Sequence, residues 1–497
     1  MASLNEIVVA STEFGNVVHP SAEAYDRQIR QHLSFLRRAL SNQDLNSVLN
    51  DESVFDKLDP SKDSITYLLI LRHQIKAAQE KAGKSTPAKL LPIGGLWRRM
   101  AYYLENFEPV QTRYVGQEWR QVVEVFAQTA EEFSQPILAT QVIRDAILRL
   151  DPSSAVFTST HLLFARLCLR AKTYSCALPV LKRPICHIPA ALNGSNLRSA
   201  PLLCDDHQSS LAFLGEKSGF SSKLSHKEFL EYFLYGGMIF MAVKDWRNAS
   251  HFLATVVSMP SVGVISKIML EAYKKWILVG LLETGKLNTL PSITPSHASK
   301  TYHTLAKQYV QLAEAYERGD SRKFQERFDS GEERWKQDNN TGLVLQVSES
   351  LTAHFLKRIK KTFASLTISQ LLEQDTPLPK DPAAAESIIA SLITAGDLKA
   401  TLVHSSNHSG DTMLRFSAGS NSSRLSHELD VQAQLKKEKL MLEVLMNRID
   451  ESKHNLALSD ELVDHLRKGQ SWTGAGENGA DKDDGADIEE DIMVDFA

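Results

Sequence analysis

The chain has 497 residues, of which 43% are hydrophobic and 23% are charged, and its formal net charge is −4. This composition is close to that of an ordinary soluble globular protein, and the length allows roughly two to four domains. The longest apolar stretch, around Tyr232–Val243, is about a dozen residues long, whereas a bilayer span needs about 20, so no membrane-spanning segment is predicted. Four cysteines are too few for a disulfide scaffold.

The acidic charge is concentrated at the end of the chain. Ser471–Ala497 contains nine acidic residues and one basic residue, Lys482, which gives it a charge of −8. The remaining 470 residues carry the difference, about +4. A body so close to neutral has no overall field that would steer nucleic acid toward it, and the Gly-rich acidic tail is expected to be disordered.

Apolar residues at helical spacing predict helices along most of the chain, and strand signals are nearly absent before residue 398. A loop rich in Pro, Asn, Gly and Ser, roughly Arg183–Ser225, separates two sets of helices and is long enough to be partly mobile. The predicted helices are Glu23–Ala39, Ile65–Lys81, Leu96–Asn106, Arg113–Gln128, Pro136–Arg149, Thr158–Ala171, Tyr174–Leu181, Lys227–Val243, Trp246–Ser258, Val264–Thr284, Tyr302–Arg318 and Ser321–Gln337.

An internal repeat indicates that these helices form an array. Leu167–Leu181 aligns with Ile239–Leu253 at an offset of 72 residues. The alignment places a small residue in each first helix, an aromatic residue at each turn, and an alanine and a leucine in each second helix. The aligned pairs are Ala165 with Gly237, Tyr174 with Trp246, Ala177 with Ala249, and Leu181 with Leu253. This is the pattern of tetratricopeptide-like hairpins, which bury their apolar faces by stacking on neighbours.

The pattern changes after Asn340. One long helix, 341–366, is followed by a short helix that begins at Thr367 or Ser369 as N-cap. A third helix has Asp381 as N-cap, Pro382 at its first position and Gly396 at its C-terminus. Two strands, Lys399–His404 and Met413–Ala418, then flank a loop of turn-forming residues. Three helices followed by a two-stranded wing is the order of a winged helix.

The C-terminal region predicts one or two further helices, Arg424–Lys468. Five apolar residues recur in it at seven-residue spacing: Leu435, Leu442, Ile449, Leu456 and Val463. Only Leu445 and Leu466 fill the companion stripe, so the helix favours a bundle over a two-stranded coil. An apolar face that a single chain leaves uncovered is typical of an interaction site.

These patterns predict an all-α fold. A tetratricopeptide-like helical-repeat solenoid ends in a winged-helix module with a small two-stranded wing, followed by a C-terminal helix and a disordered tail. The predicted organisation is an N-terminal helical-repeat region at 1–157, further repeats at 158–340, the winged helix at 341–420, bundle helices at 424–468 and the tail at 469–497.

Candidate chemical motifs are weak. The segment Gly280–Leu287 nearly matches a phosphate-binding loop, but Leu287 replaces the metal-binding hydroxyl and Gly285 is more simply a helix C-cap. Cys186 and His187, with Cys204 and His207, lack the two tight ligand pairs of structural zinc sites. Cys168 and Cys176 lie inside repeat helices, where a thiol is a small buried apolar group. We therefore expect no catalytic, cofactor-binding or metal-binding residues and no enzymatic activity.

Winged helices often bind DNA, but the residues here favour protein contacts. The predicted recognition helix, Ala383–Ala395, contains Glu386 and no Lys or Arg, the side chains that neutralise phosphates and read guanine. Its apolar stripe is formed by Ile388, Ile389, Leu392 and Ile393. The basic run Lys357–Lys361 lies on an earlier helix, where it is expected to be a solvated face.

A helical array that ends in a winged helix resembles the PCI domain, a module shared by subunits of the proteasome lid, the signalosome and an initiation factor. Four runs, Ala165–Leu181, Tyr235–Pro260, Ile265–Lys286 and Asp338–Val347, are similar to the subunit 3 family of the COP9 signalosome. The resemblance covers residues 160–420 well and is weaker toward both ends. The homologous proteasome-lid subunit and a nucleic-acid-associated PCI module remain alternative interpretations.

The resemblance implies a structural role in an assembly. PCI subunits pack through their winged helices and gather their C-terminal helices into one bundle. The expected partners are other PCI-type and MPN-type signalosome subunits and, indirectly, cullin-RING ubiquitin ligases, from whose cullins the complex removes a ubiquitin-like modifier. The expected location is the cytoplasm and the nucleus. Candidate contact residues are Lys399, Thr401, Leu414 and Phe416 of the wing, whose open edge another chain can extend, together with the C-terminal stripe.

Overall fold

In the computed structural model, the described residues are 11, 21–40, 52–83, 86–92, 94–188, 203–204, 210–215, 218–260, 265–373, 376–404, 412–416 and 424–457. Most of them lie in α-helices. Before the long connection the helices are α1 (Ala22–Leu40), α2 (Ser64–Ala82), α3 (Gly95–Asn106), α4 (Pro109–Thr112), α5 (Gly116–Glu132), α6 (Ile137–Leu150), α7 (Ser159–Ala171) and α8 (Tyr174–Leu181).

The second set of helices begins with a short one inside the connection. These helices are α9 (Ser210–Phe213), α10 (His226–Ala242), α11 (Trp246–Ser258), α12 (Lys267–Thr284), α13 (Ser296–Leu305), α14 (Lys307–Arg318), α15 (Ser321–Ser330), α16 (Glu332–Gln337) and α17 (Thr341–Ile359). The predicted helices are all present in the described residues. Two are divided, one at Ala306, between α13 and α14, and the other at Gly331, between α15 and α16.

The 72-residue repeat corresponds to two helical hairpins, α7–α8 and α10–α11. Ala165 and Gly237 are both buried on the first helix of their hairpins. At Gly237 the second helix approaches so closely that an added Cβ atom would lie 3.0 Å from the Leu253 side chain. The aligned Ala177 and Ala249 are fully buried on the second helices. The two hairpins therefore follow the same packing scheme, as the repeat predicted.

The chain leaves several of its helices through one recurring turn. A residue with positive φ follows the helix, and the N–H of the next residue donates to the carbonyl five positions earlier, which satisfies an otherwise unpaired helix carbonyl. In the described part of the chain this turn occurs at Ser134, Lys172, Lys244, Gly319, Asn339 and Gly396. Lys172 and Lys244 are themselves 72 residues apart, so the repeat extends to the turn.

The long connection is partly packed in its described segments. Phe213, Leu214 and Phe220 are buried, and the Phe220 ring meets Trp119 edge-on with centroids 5.7 Å apart. The Arg120 guanidinium donates to the Gly219 carbonyl at 2.9 Å. These segments thus contribute to the core of the N-terminal helices, although the sequence predicted only a loop there.

Residues 341–416 contain the predicted order of winged-helix elements together with one additional strand. After α17 come β1 (Ser365–Thr367), α18 (Ile368–Leu372), α19 (Pro382–Thr394), β2 (Ala400–Val403) and β3 (Met413–Phe416). The sheet has three strands in the order β1-β3-β2, all antiparallel. The two predicted wing strands are present as β2 and β3, and β1 adds a third strand that the sequence did not predict. The single helix 341–366 is wrong at its end, because α17 ends at Ile359 and residues 365–367 pair with β3.

Two hydrophobic cores lie along this part of the chain. The first extends through the helical repeats as far as Leu351, and the second consists of winged-helix residues from Phe355 to Phe416. Helix α17 contributes to both, with Val344 and Val347 in the first core and Leu356 and Ile359 in the second. One continuous helix thereby ties the winged-helix module to the repeats. A separate compact unit contains α20 (Arg424–Ala457).

Candidate interaction surfaces

Helix α20 has 34 residues, which at 1.5 Å per residue gives a length of about 50 Å. It confirms the predicted helix as far as Ala457. Three of the five predicted stripe residues have described side chains, and all three are exposed: Leu435 by 64%, Leu442 by 60% and Ile449 by 53%. The Leu456 side chain and Val463 lie outside the described residues.

The exposed apolar surface of α20 is broader than the seven-residue spacing indicated. At 100° per residue, six exposed apolar side chains fall within about 100° of the helix circumference. This apolar stripe consists of Val431, Leu435, Leu442, Leu445, Met446 and Ile449. Leu440 and Val444 are also exposed, on the opposite side. A helix that is apolar on two sides is typical of the interior of a bundle.

The wing presents a different face from the predicted one. Leu414 is fully buried and Phe416 is 6% exposed, and both belong to the winged-helix core. Their assignment as contact side chains is therefore wrong. Successive strand residues point to opposite faces, so the apolar pair Leu414 and Phe416 shares the core face while Arg415 points to solvent. The predicted Lys399 and Thr401 are exposed.

The outer face of the wing carries an exposed apolar pair. Val403 on β2 and Met413 on β3 are directly opposite each other in the antiparallel register and are 47% and 41% exposed. In the described sheet, β1 and β2 are the edge strands, because β3 pairs on both sides. Strand residues alternate between the two faces of a sheet. The alternation of residues 413–416 could therefore have identified Met413, in place of Leu414, as the exposed residue.

Helix α19 packs its apolar residues against the wing. Ala385 and Ile389 are buried in the winged-helix core, while Ile388 is 38% exposed. The single acidic residue of the helix, Glu386, accepts a hydrogen bond from Thr412 Oγ1 at 3.2 Å and lies 3.5 Å from the His404 ring. The helix carries this carboxylate and no Lys or Arg, which is unfavourable for phosphate binding.

A buried polar network joins the last repeats to the start of α17. The Lys274 ammonium lies 2.7 Å from an Asp338 carboxylate oxygen, and the Tyr309 hydroxyl donates to the other oxygen at 2.9 Å. Lys275 donates to the Asn340 side-chain oxygen at 2.8 Å, and the Asn340 amide donates to Tyr309 at 3.0 Å. The two family-like runs around residues 274 and 338 thus supply one connected network.

The charge of Asp338 is stabilised by its partners. Burial alone would raise the pKa of Asp338, but hydrogen bonds from Lys274 and Tyr309, together with nearby Arg334, lower it. Both lysine side chains are almost fully buried, and buried ammonium groups persist when they are paired. Tandem lysines inside an apolar run, Tyr273–Trp276, were the sequence signal that could have identified this network.

Residues of the weak chemical motifs cap a helix or donate hydrogen bonds to backbone carbonyls. Gly285 is the C-cap of α12 with left-handed backbone, as predicted, and donates to the Leu281 carbonyl at 3.0 Å. The Cys186 N–H donates to the Ala155 carbonyl, and the Cys204 thiol donates to the Ala22 carbonyl. His207 lies outside the described residues. In the described part of the chain, no helix is both long and apolar enough to cross a bilayer.

The fold and its surfaces define a helical-repeat protein with a winged-helix module and an exposed apolar C-terminal helix. The family described as "COP9 signalosome complex subunit 3, N-terminal helical repeats" matches residues 26–298. COP9 signalosome complex subunit 3 of Emericella nidulans is 36% identical over 481 residues, 95% of each chain. The proteins of that name from Dictyostelium discoideum and Drosophila melanogaster are 27% and 26% identical over 71% of this chain and 74% and 73% of theirs.

The chain belongs to the COP9 signalosome subunit 3 family. The family match covers more than half of its length, and the Emericella relative covers nearly all of it. The resemblance of the four sequence runs is thereby confirmed.

Proposed function

We propose that this protein is a non-catalytic scaffold subunit of the COP9 signalosome. In this role it holds PCI-type subunits together, and contacts MPN-type subunits, in the complex that removes a ubiquitin-like modifier from the cullins of cullin-RING ubiquitin ligases. Hydrolysis is assigned to another subunit. The observation that carries the proposal is the apolar stripe of α20, which exposes six large side chains to solvent.

The energetics of the stripe favour a bound state. Burying one Leu, Ile or Met side chain contributes about 1.5–3 kcal/mol, so six such residues provide a large driving force for association. Association also costs free energy, because the partners lose translational and rotational freedom, so only part of this gain appears as affinity. A 34-residue helix offers this surface to two or more neighbours at once, as in a bundle.

In this role, each region of the chain has its own task. The repeats at 1–157 and 158–340 form the arm, the PCI winged helix at 341–420 supplies lateral contacts, and the helices at 424–468 enter the bundle, while the acidic tail at 469–497 has no assigned role. The buried core of the repeats supports their role as the arm. The exposed pair Val403 and Met413 supports the lateral contacts, and the apolar stripe supports entry into the bundle. Such a subunit is expected in both the cytoplasm and the nucleus.

A charge-insertion experiment tests the scaffold role. The triple variant Leu435→Glu, Leu442→Glu and Ile449→Glu places three carboxylates in the apolar stripe. The matched control, Gln432→Glu, Gln434→Glu and Asn447→Glu, adds the same charge at exposed polar positions of the same helix. Both tagged full-length proteins are purified from cells, and the co-purified signalosome subunits are quantified by mass spectrometry.

The stripe variant is expected to recover at least about tenfold less of the other subunits, since burying an unpaired carboxylate costs more than about 1.4 kcal/mol, the equivalent of tenfold. The control is expected to recover normal amounts. Equal recovery with both variants would contradict the proposal, and so would equal loss, because the effect would then come from charge alone. Circular dichroism of each purified chain establishes that it remains helical.

A further inference from the structure

Two cysteines meet inside the hairpin α7–α8. Cys168 on α7 is fully buried, whereas Cys176 on α8 is only half-buried. Thr173 links their backbones, because its N–H donates to the Cys168 carbonyl at 3.1 Å and its carbonyl accepts from the Cys176 N–H at 3.2 Å. The two thiols are close enough that each is the largest influence on the pKa of the other. Cys176 therefore differs from the buried apolar group that the sequence predicted.

A cation lies beside the more exposed thiol. Arg144 on α6 places Nη1 at 3.8 Å from Cys176 Sγ. Its other guanidinium nitrogens are held by Asp145, with Nε and Nη2 at 2.7 and 3.0 Å from the two carboxylate oxygens. This fork fixes the guanidinium, so that its remaining edge is directed at the sulfur.

The surroundings favour the thiolate form of Cys176. The neighbouring Cys168 thiol lowers the pKa of Cys176, burial opposes this, and the charge of Arg144 lowers the pKa further, with a contribution from Thr140. For Cys168 the effects are reversed, because the neighbouring Cys176 thiol and its own burial both raise the pKa. The pair thus combines one thiolate that a small reagent can reach with one protonated, shielded thiol.

Packing alone does not require this arrangement. In the second hairpin the equivalent positions, 72 residues later, are Phe240 and Asn248. Phe240 is buried and the Asn248 amide bonds to Asp245, so the same hairpin forms without thiols at these positions. The cysteines and Arg144 are a feature of the first hairpin, added to a fold that does not need them.

We propose that Cys176 and Cys168 form a peroxide-reactive thiol pair that closes into a disulfide across the α7–α8 hairpin. The Cys176 thiolate attacks one oxygen of hydrogen peroxide, the O–O bond breaks, and hydroxide leaves to give a sulfenic acid at Cys176. Cys168 then loses its proton and attacks the Cys176 sulfur, forming the S–S bond and releasing the sulfenic oxygen as water. Overall, two thiols and one peroxide give one disulfide and two waters.

The pair is tested on the full-length protein alone, independently of its assembly. The reduced chain is treated with hydrogen peroxide, remaining thiols are blocked with iodoacetamide, and the protein is digested with trypsin. Trypsin cleaves after Arg170 and Lys172, so the two cysteines fall in separate peptides that only a disulfide joins. The expected product is this linked pair, formed at lower peroxide concentrations than oxidation of the exposed Cys186.

Three variants separate the steps. Cys168→Ser removes the second thiol, so we expect a sulfenic acid to accumulate at Cys176 and to react with dimedone. Arg144→Gln removes the cation, and we expect alkylation of Cys176 by iodoacetamide at neutral pH to slow by about tenfold. Cys186→Ser is the matched control and is expected to change neither rate.

Two results would overturn the proposal. One is the wild-type chain giving no linked peptide at peroxide concentrations that already oxidise Cys186. The other is Cys176 alkylating no faster than Cys186 in the wild-type chain. Neither measurement depends on the folding of a variant, and neither is affected if the scaffold proposal fails.

Discussion

His161 on α7 is completely buried, and each of its ring nitrogens has a hydrogen-bond partner. Nδ1 accepts from the Thr158 N–H at 3.3 Å, which closes a capping box at the start of α7. Nε2 then carries the proton and donates to Ser154 Oγ at 2.8 Å. A proton on Nδ1 would remove the acceptor, so the fold contains the neutral ring.

Burial lowers the pKa of His161 to about 4, although the charge of Asp151 opposes the shift. Since the unfolded histidine titrates near 6.5, the unfolded chain gains a proton between about pH 6.5 and 4 that the folded chain does not. The free energy of unfolding is therefore expected to fall as pH falls through that window.

His161→Gln tests this titration, because glutamine can keep the capping box while it removes the ionisable ring. Between pH 7.5 and pH 5, the wild-type chain is expected to lose about 2 kcal/mol more stability than the variant, at about 1.4 kcal/mol per pKa unit. Urea denaturation at the two pH values measures the difference. His32, whose pKa burial also lowers, is present in both chains and cancels. Parallel losses in the two proteins would refute the role of His161.

At the residue scale, the sequence predicted helix N-caps more accurately than it predicted which wing residues are exposed. Asp381 and Thr367 are N-caps as predicted, since capping depends on a few neighbouring residues. Leu414 and Phe416 were assigned to a contact surface because they lie in the wing, yet tertiary packing places them in the core. The pairing of Lys274 with Asp338 joins residues 64 positions apart, which no local pattern specifies.

At the scale of elements, the close approach of α10 and α11 depends on glycine. An added Cβ atom at Gly236 would lie 2.6 Å from the Phe252 ring. That ring is itself packed against Phe233 and Phe240, with centroids 5.2 and 5.1 Å away, so it has little room to move. The α10–α11 hairpin therefore needs a small residue at position 236 for a steric reason.

Gly236→Ala is expected to destabilise the chain by about 1–3 kcal/mol through overpacking. Gly342→Ala, near the start of α17, is the matched control, because an added Cβ atom there meets nothing within 4 Å. This control is expected to be neutral or to stabilise by up to about 1 kcal/mol, since alanine lowers the entropy of the unfolded chain. Thermal denaturation compares both with the parent, and similar midpoints for the two variants would contradict the account.

Helix positions could be predicted from the sequence because each amphipathic helix carries its own periodic signal. Strand β1 could not be predicted, since three residues are too few for a pattern and they pair only because β3 offers an open edge. The sequence located the helix breaks at Ser134, Lys172 and Lys244 but did not indicate their left-handed backbone, because glycine is the usual sign of a left-handed helix end and these residues are not glycine.

At the scale of the whole molecule, the repeats and the winged-helix module share α17 and the network around Asp338. The shared helix spans both cores, and the hydrogen bonds and ion pair of Asp338 and Asn340 fix the segment just before it to α12 and α14. A partner that binds the winged helix thus acts on a surface that is coupled mechanically to the repeats. The sequence could indicate the two modules but not this junction, which depends on long-range packing.

The account rests on the apolar stripe of α20 being covered by partner chains, and amide hydrogen exchange tests this most directly. Exchange in a peptide spanning 431–449 is compared between the isolated full-length chain and the same chain within the purified signalosome. A peptide from the buried helix α12, 267–284, is the internal reference. We expect exchange at 431–449 to slow by at least about tenfold on assembly while 267–284 is unchanged. Equal exchange at 431–449 in both states would contradict the account.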